Sequence, residues 1–134
     1  MKIPELTRAE LQVMNYLWDK GEATVGEILA EYPEPKPAYT TIATVLRVLT
    51  VKEFVKVHLE SRVKHFVPLV SREAYTTSFM ASVKKDFFKN SFASMVSFFA
   101  RREKLDSREL EELIALLRES NTEGRNSGES TPNL

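Results

Sequence analysis

Apolar positions in the first third of the chain recur at helical spacing. Leu6, Leu11, Met14, Leu17 and Trp18 form one stripe, and Thr7 with Glu10 three residues on is a capping-box pair. This predicts a helix over residues 8–20, closed by Gly21. Thr24 with Glu27 repeats the device, and Val25, Ile28, Leu29 and Tyr32 supply the buried side of a short second helix. Pro33, Pro35 and Pro37 stop it, because proline lacks an amide donor and constrains the residue before it. A third helix begins after Pro37 and runs to about Thr50. It sets Ile42, Val45, Leu46 and Leu49 on one side and Tyr39, Thr40, Ala43, Thr44 and Arg47 on the other.

Beyond Thr50 the period falls from 3.6 to 2. Val55, Val57 and Leu59 alternate with Lys56 and His58, and a second run, residues 63–69, follows a polar turn at Glu60, Ser61 and Arg62. A turn centred on Ser61 and Arg62 places Val57 opposite Phe66 and His58 opposite His65. Three helices and then a hairpin are the element order of a winged helix-turn-helix. Helical patterns return over about 71–89, 92–102 and 106–118, the last opened by Asp106 with Glu109. The fold expected is mostly α with one small β-hairpin.

The exposed side of the third helix carries hydroxyls, a phenol, a methyl and one guanidinium, with no acid. Such groups suit a DNA major groove, where Thr and Ala methyls meet thymine methyls and Arg forks onto guanine. Formal net charge is zero, which by itself argues against nucleic acid, but the distribution is uneven. Residues 1–35 hold three basic and seven acidic side chains, and residues 36–65 hold six basic and two acidic ones together with both histidines. The positive charge sits where the reading helix is predicted. Arg62 and Lys64 flank the hairpin tip, where they would reach the DNA backbone or minor groove, or simply confer solubility. Arg47 is the best candidate for a base-edge or phosphate contact, with an ion pair to a neighbouring acid as the lesser alternative, and Thr40 and Thr41, at the helix start, could favour a phosphate or cap the helix.

Six of the eight phenylalanines, Phe79, Phe87, Phe88, Phe92, Phe98 and Phe99, fall in the C-terminal helices. Those helices are too short to bury so much aromatic surface on themselves, so a second copy is the expected cover. The interface expected comprises Phe79, Phe87, Phe88, Phe92, Met95, Phe99, Leu113 and Leu117. Residues 119–134, rich in Ser, Asn, Gly and Thr, are expected to be a disordered tail. The domain scheme is therefore a winged helix over 1–70, a helical dimerisation domain over 71–118 and the tail.

There is no cysteine, so disulfides, thiolate metal sites and Cys nucleophiles are excluded. His58 and His65 converge across the hairpin, but two imidazoles without a third ligand or nearby acid make a poor zinc site, and no metal or cofactor is expected. No Ser/His/acid grouping or Gly-rich phosphate loop supports an enzyme. No apolar run reaches membrane-spanning length, and the first residues lack signal-peptide character, so a cytoplasmic protein is expected.

The runs LTRAELQVMNYLWDKGEATVGEILAEY, AYTTIATVLRVLTVKEFV and HFVPLVSREAY, continued by KNSFASMVSFFARREKLDSRELEELIALL, resemble the penicillinase-repressor family over about residues 4–118. That resemblance implies a homodimeric transcriptional repressor acting on a dyad-symmetric double-stranded DNA operator with TACA/TGTA-like arms. It also implies relief of repression by proteolysis in the C-terminal domain, through a membrane-embedded sensor metalloprotease. By the same resemblance Thr41, Thr44 and Arg47 are the groove-facing positions, with Tyr39, Thr40 and Ala43 beside them. The cleaved Asn-Phe bond of some members aligns with Phe98 and Phe99, where Asn is missing. The Lys-Gly turn usual after the reading helix is Lys52-Glu53 here. The competing reading is a winged helix used only as a protein-interaction module, which would carry an acidic or apolar patch on that face.

Overall fold

In a computed structural model that describes residues 3–126, with side chains described through 119, the chain folds as α1 (Arg8–Lys20), α2 (Val25–Ala30), α3 (Tyr39–Val51), β1 (Val55–Glu60), β2 (Val63–Pro68), α4 (Arg72–Phe88), α5 (Phe92–Arg102) and α6 (Ser107–Asn126). It divides into two compact units, Met1–Val83 and Lys84–Leu134. Both predicted capping boxes form: Thr7 with Glu10 opens α1 and Thr24 with Glu27 opens α2. Gly21, at φ 82°, closes α1 in a conformation that side chains resist.

The core of the first unit is where the helical stripes meet. Val13, Met14 and Leu17 of α1, Ile28 of α2, and Ile42, Leu46 and Leu49 of α3 are buried together with Phe54, Val55, Phe66 and Tyr75. Burying these side chains is the main force holding α3 in place, at about 1.5–3 kcal/mol per large apolar residue. Tyr75 ties the start of α4 into the same core, its hydroxyl accepting from the Leu6 amide at 2.8 Å. Trp18, from the apolar stripe of α1, donates its indole N–H to Val70 O at 2.8 Å.

The hairpin is antiparallel with Val57 opposite Phe66 and His58 opposite His65. Ser61 and Arg62, at φ 53° and 67°, are its two-residue turn. The apolar alternation packs only at the hairpin base, where Val55 and Phe66 are buried, whereas Val57, Leu59 and Val63 are exposed. A short third strand position, Ala23, pairs with Phe66 through bonds of 3.1 and 2.8 Å and joins the α1–α2 turn to the hairpin.

In the second unit, Phe88 lies with its ring 5.5 Å from Phe98 and 6.4 Å from Phe99, and Met95 is buried. Helix α6 runs to Asn126, past the expected end at Arg118. The stretch expected to be disordered thus begins as helix, no proline interrupting it, and its remainder at residues 127–134 lies outside the described residues.

Candidate nucleic-acid interface

Helix α3 turns its apolar stripe inward and leaves Tyr39, Thr40, Thr41, Thr44 and Arg47 exposed, with Ala43 half-buried. Its C-terminal end is fixed by a Schellman arrangement. The Phe54 amide donates to Leu49 O at 2.9 Å and the Glu53 amide to Thr50 O at 3.1 Å, with Glu53 at φ 66° and Phe54 packed in the same core as Leu49. Its N-cap is Ala38, which makes no side-chain cap. Neither Thr40 nor Thr41 therefore caps this helix, and the Thr41 amide donates to Ala38 O at 3.0 Å.

Between α3 and the hairpin lies a groove of about 800 Å³ whose lining includes Tyr39, Thr40, Ala43, Thr44, Arg47, Arg62 and Lys64. Seven of the eight residues singled out for DNA thus share one concave surface, which carries three cations and no carboxylate. Thr41 is exposed but does not line the groove, being about 100° around the helix from Thr40. Thr24, Val57 and Val63 also line it, and none of them carried a sequence signal for this role. Among the described residues Arg47, Arg62 and Lys64 make no ion pair or side-chain hydrogen bond, so the competing explanation for Arg47 as half of an internal pair falls away.

The positive charge of residues 36–65 divides by role. Lys36 donates to Ala30 O at 3.1 Å and to Tyr32 O, closing the C-terminal end of α2. Lys52 pairs with Glu10 at 2.7 Å. Arg47, Lys56, Arg62 and Lys64 make no ion pair among the described residues, and of these Arg47, Arg62 and Lys64 line the groove. Arg62 is also held in the left-handed region, where Gly is the easy choice, so the wing tip keeps a guanidinium at a conformational cost of about 1–2 kcal/mol.

Beside the hairpin, His58 Nε2 lies 3.2 Å and His65 Nδ1 3.3 Å from one oxygen of Glu22, and His65 Nε2 is 3.9 Å from Glu60. The acids that the sequence reading found lacking around the two histidines are thus present. Glu22 escaped it because it is 36 residues from His58 and arrives on a different turn. No helix among the described residues is long and apolar enough to cross a membrane.

A family model described as Penicillinase repressor matches residues 6–119. The Penicillinase repressor of Bacillus licheniformis is 29% identical over 119 residues, covering 88% of this chain and 93% of that protein. The methicillin resistance regulatory protein MecI of Staphylococcus aureus strain N315 is 28% identical over 117 residues, covering 87% and 95%. Among solved structures, the Bacillus licheniformis BlaI monomeric form in complex with the blaP half-operator is 31% identical with a TM-score of 0.47, covering 55% of this chain and 92% of that one.

Proposed function

The chain belongs to the penicillinase repressor family, and from that premise we propose that it is a DNA-binding transcriptional repressor that reads a dyad-symmetric operator as a homodimer. Residues 1–70 act as the winged helix and residues 71–118 as the dimerisation domain. The observation that carries the reading is the α3–wing groove, which gathers Arg47, Arg62 and Lys64 with the Thr40, Ala43 and Thr44 face and holds no acid. Helix α3 enters the major groove, with Arg47 and Thr44 at base edges and Thr41 on its outer flank, while Arg62 and Lys64 engage the backbone or minor groove. A pure interaction module would carry an acidic or apolar patch here, and three unpaired cations disfavour it. The family is one of repressors rather than enzymes.

The second unit exposes Phe87, Phe92, Phe99 and Leu117. An apolar surface of that kind fits a partner subunit, which places two α3 helices one or two DNA turns apart. Cutting the chain near Phe98 and Phe99 by a membrane-embedded sensor metalloprotease would then turn one bivalent contact into two weak ones. Both phenylalanines lie inside α5, so cleavage there requires that helix to open. A cytoplasmic location follows from a DNA partner.

A salt titration of binding to a TACA/TGTA dyad duplex and to a scrambled duplex tests the proposal. Preference for the dyad at dimer stoichiometry, falling steeply as salt rises, is the expected result. Equal and weak binding to both duplexes would sink it.

A further inference from the structure

Glu22, His58, Glu60 and His65 meet on the flank of the wing, away from the groove lining, and none has a part in the DNA reading above. Glu22, His58 and Glu60 each offer one ligand atom within 4.8 Å of the others. His65 stands beside them, its Nδ1 3.3 Å from the Glu22 oxygen that also faces His58 Nε2 at 3.2 Å and its ring stacked on His58, so it holds Glu22 in place rather than joining the three donors. Tetrahedral zinc bonds of about 2.0–2.2 Å put neighbouring ligand atoms about 3.3–3.6 Å apart, so the Glu22–His58 spacing lies close to the edge of such a tetrahedron.

Hydrogen bonding can hold both rings on one Glu22 oxygen. One carboxylate oxygen can accept from both rings only if His58 carries its proton on Nε2 and His65 on Nδ1. A divalent cation among Glu22, His58 and Glu60 would instead take the lone pair of the His58 nitrogen and the charge of both acids together.

We propose that this cluster is a binding site for a divalent transition ion of the zinc class, held by Glu22, His58 and Glu60 with water in the remaining position. Imidazole with carboxylate and no thiolate suits Zn²⁺, Co²⁺ or Ni²⁺ rather than Cu⁺ or Ca²⁺. All four side chains are partly exposed, so an ion can enter and leave. Its mechanical effect follows from position. Glu22 precedes Ala23, whose backbone pairs with Phe66 beside His65, so the ion would clamp the hairpin to the α1–α2 turn at the backbone bridge that joins them.

The test uses the untagged full chain, stripped with a chelator and titrated calorimetrically with ZnCl₂, then with Co²⁺ followed by its visible absorption. One ion per chain is expected, with a zinc-dependent rise in melting temperature. His58→Gln and Glu22→Gln should each weaken binding by about tenfold or more and abolish the thermal shift. Both positions are on the surface, and circular dichroism verifies that the variants fold. Absence of stoichiometric zinc binding, or undiminished affinity in both variants, would overturn the site. No DNA is present in this measurement, so its failure leaves the operator reading untouched, and failure of the operator reading leaves zinc binding intact.

Discussion

Lys52, at the C-cap of the proposed reading helix, places its ammonium 2.7 Å from the buried carboxylate of Glu10 in the first turn of α1. The other oxygen of Glu10 accepts from the Thr7 amide at 2.9 Å, so one side chain both caps α1 and anchors the end of α3. Orientation of the reading helix thus depends on a charge contact spanning 42 residues.

That contact has a pH signature. Burial pushes the Glu10 carboxyl up, but the Lys52 ammonium and the Thr7 amide and hydroxyl outweigh it, and the net effect holds the group below the ordinary glutamate range. The folded state therefore binds this proton less readily than the unfolded chain. The stabilisation is fully present above the ordinary glutamate value and is lost as pH falls through the lower folded value. Lys52→Met should remove about 1–2 kcal/mol at neutral pH, less than for a fully buried pair because the lysine is 40% exposed. It should also flatten the acid limb of the stability curve. Urea unfolding of both proteins across that pH range measures both effects.

Glu53 offers a second stability test. Its φ of 66° is where the family's usual glycine costs nothing, and the side chain is exposed. Glu53→Gly relieves about 1–2 kcal/mol of left-handed strain and returns about 0.5–1 kcal/mol to the freedom of the unfolded chain. A net gain of about 0.5–1 kcal/mol is expected from denaturant midpoints, with the Phe54 to Leu49 bond and operator affinity unchanged.

These two sites also mark how far the sequence could be read. Capping boxes are local, three residues from end to end, so Thr7–Glu10 and Thr24–Glu27 gave α1 and α2 directly. The hairpin register followed from a two-residue turn for the same reason. Contacts across long separations left no periodic trace: Glu10 with Lys52, Glu22 with His58, and Ala23 with Phe66. Charge counting had the same limit, since Lys36 and Lys52 look like Arg47 in a tally yet are spent inside the fold.

The proposed dimerisation can be tested apart from folding in the second unit. Phe87 is 76% and Phe92 51% exposed in the single chain, so replacing both with Ser should cost its fold little. If these rings pack against a second copy, Phe87→Ser with Phe92→Ser should raise the dimer dissociation constant by about 10–100-fold. Sedimentation velocity over a concentration series reads that change, and an unaltered constant would remove these two residues from the interface.

Arg47 and Arg62 should fail differently. Arg47→Ala should cost about 1–3 kcal/mol on the dyad duplex and little on a scrambled one, because a forked contact to guanine carries sequence information. Arg62 sits at φ 67° on the wing tip, so Arg62→Gly removes a phosphate-directed charge while relieving the backbone. Its melting temperature should hold or rise, while affinity falls equally on both duplexes and the salt slope drops by about one. Sequence discrimination lost in Arg62→Gly but kept in Arg47→Ala would reverse these roles and make the wing, rather than α3, the element that reads bases.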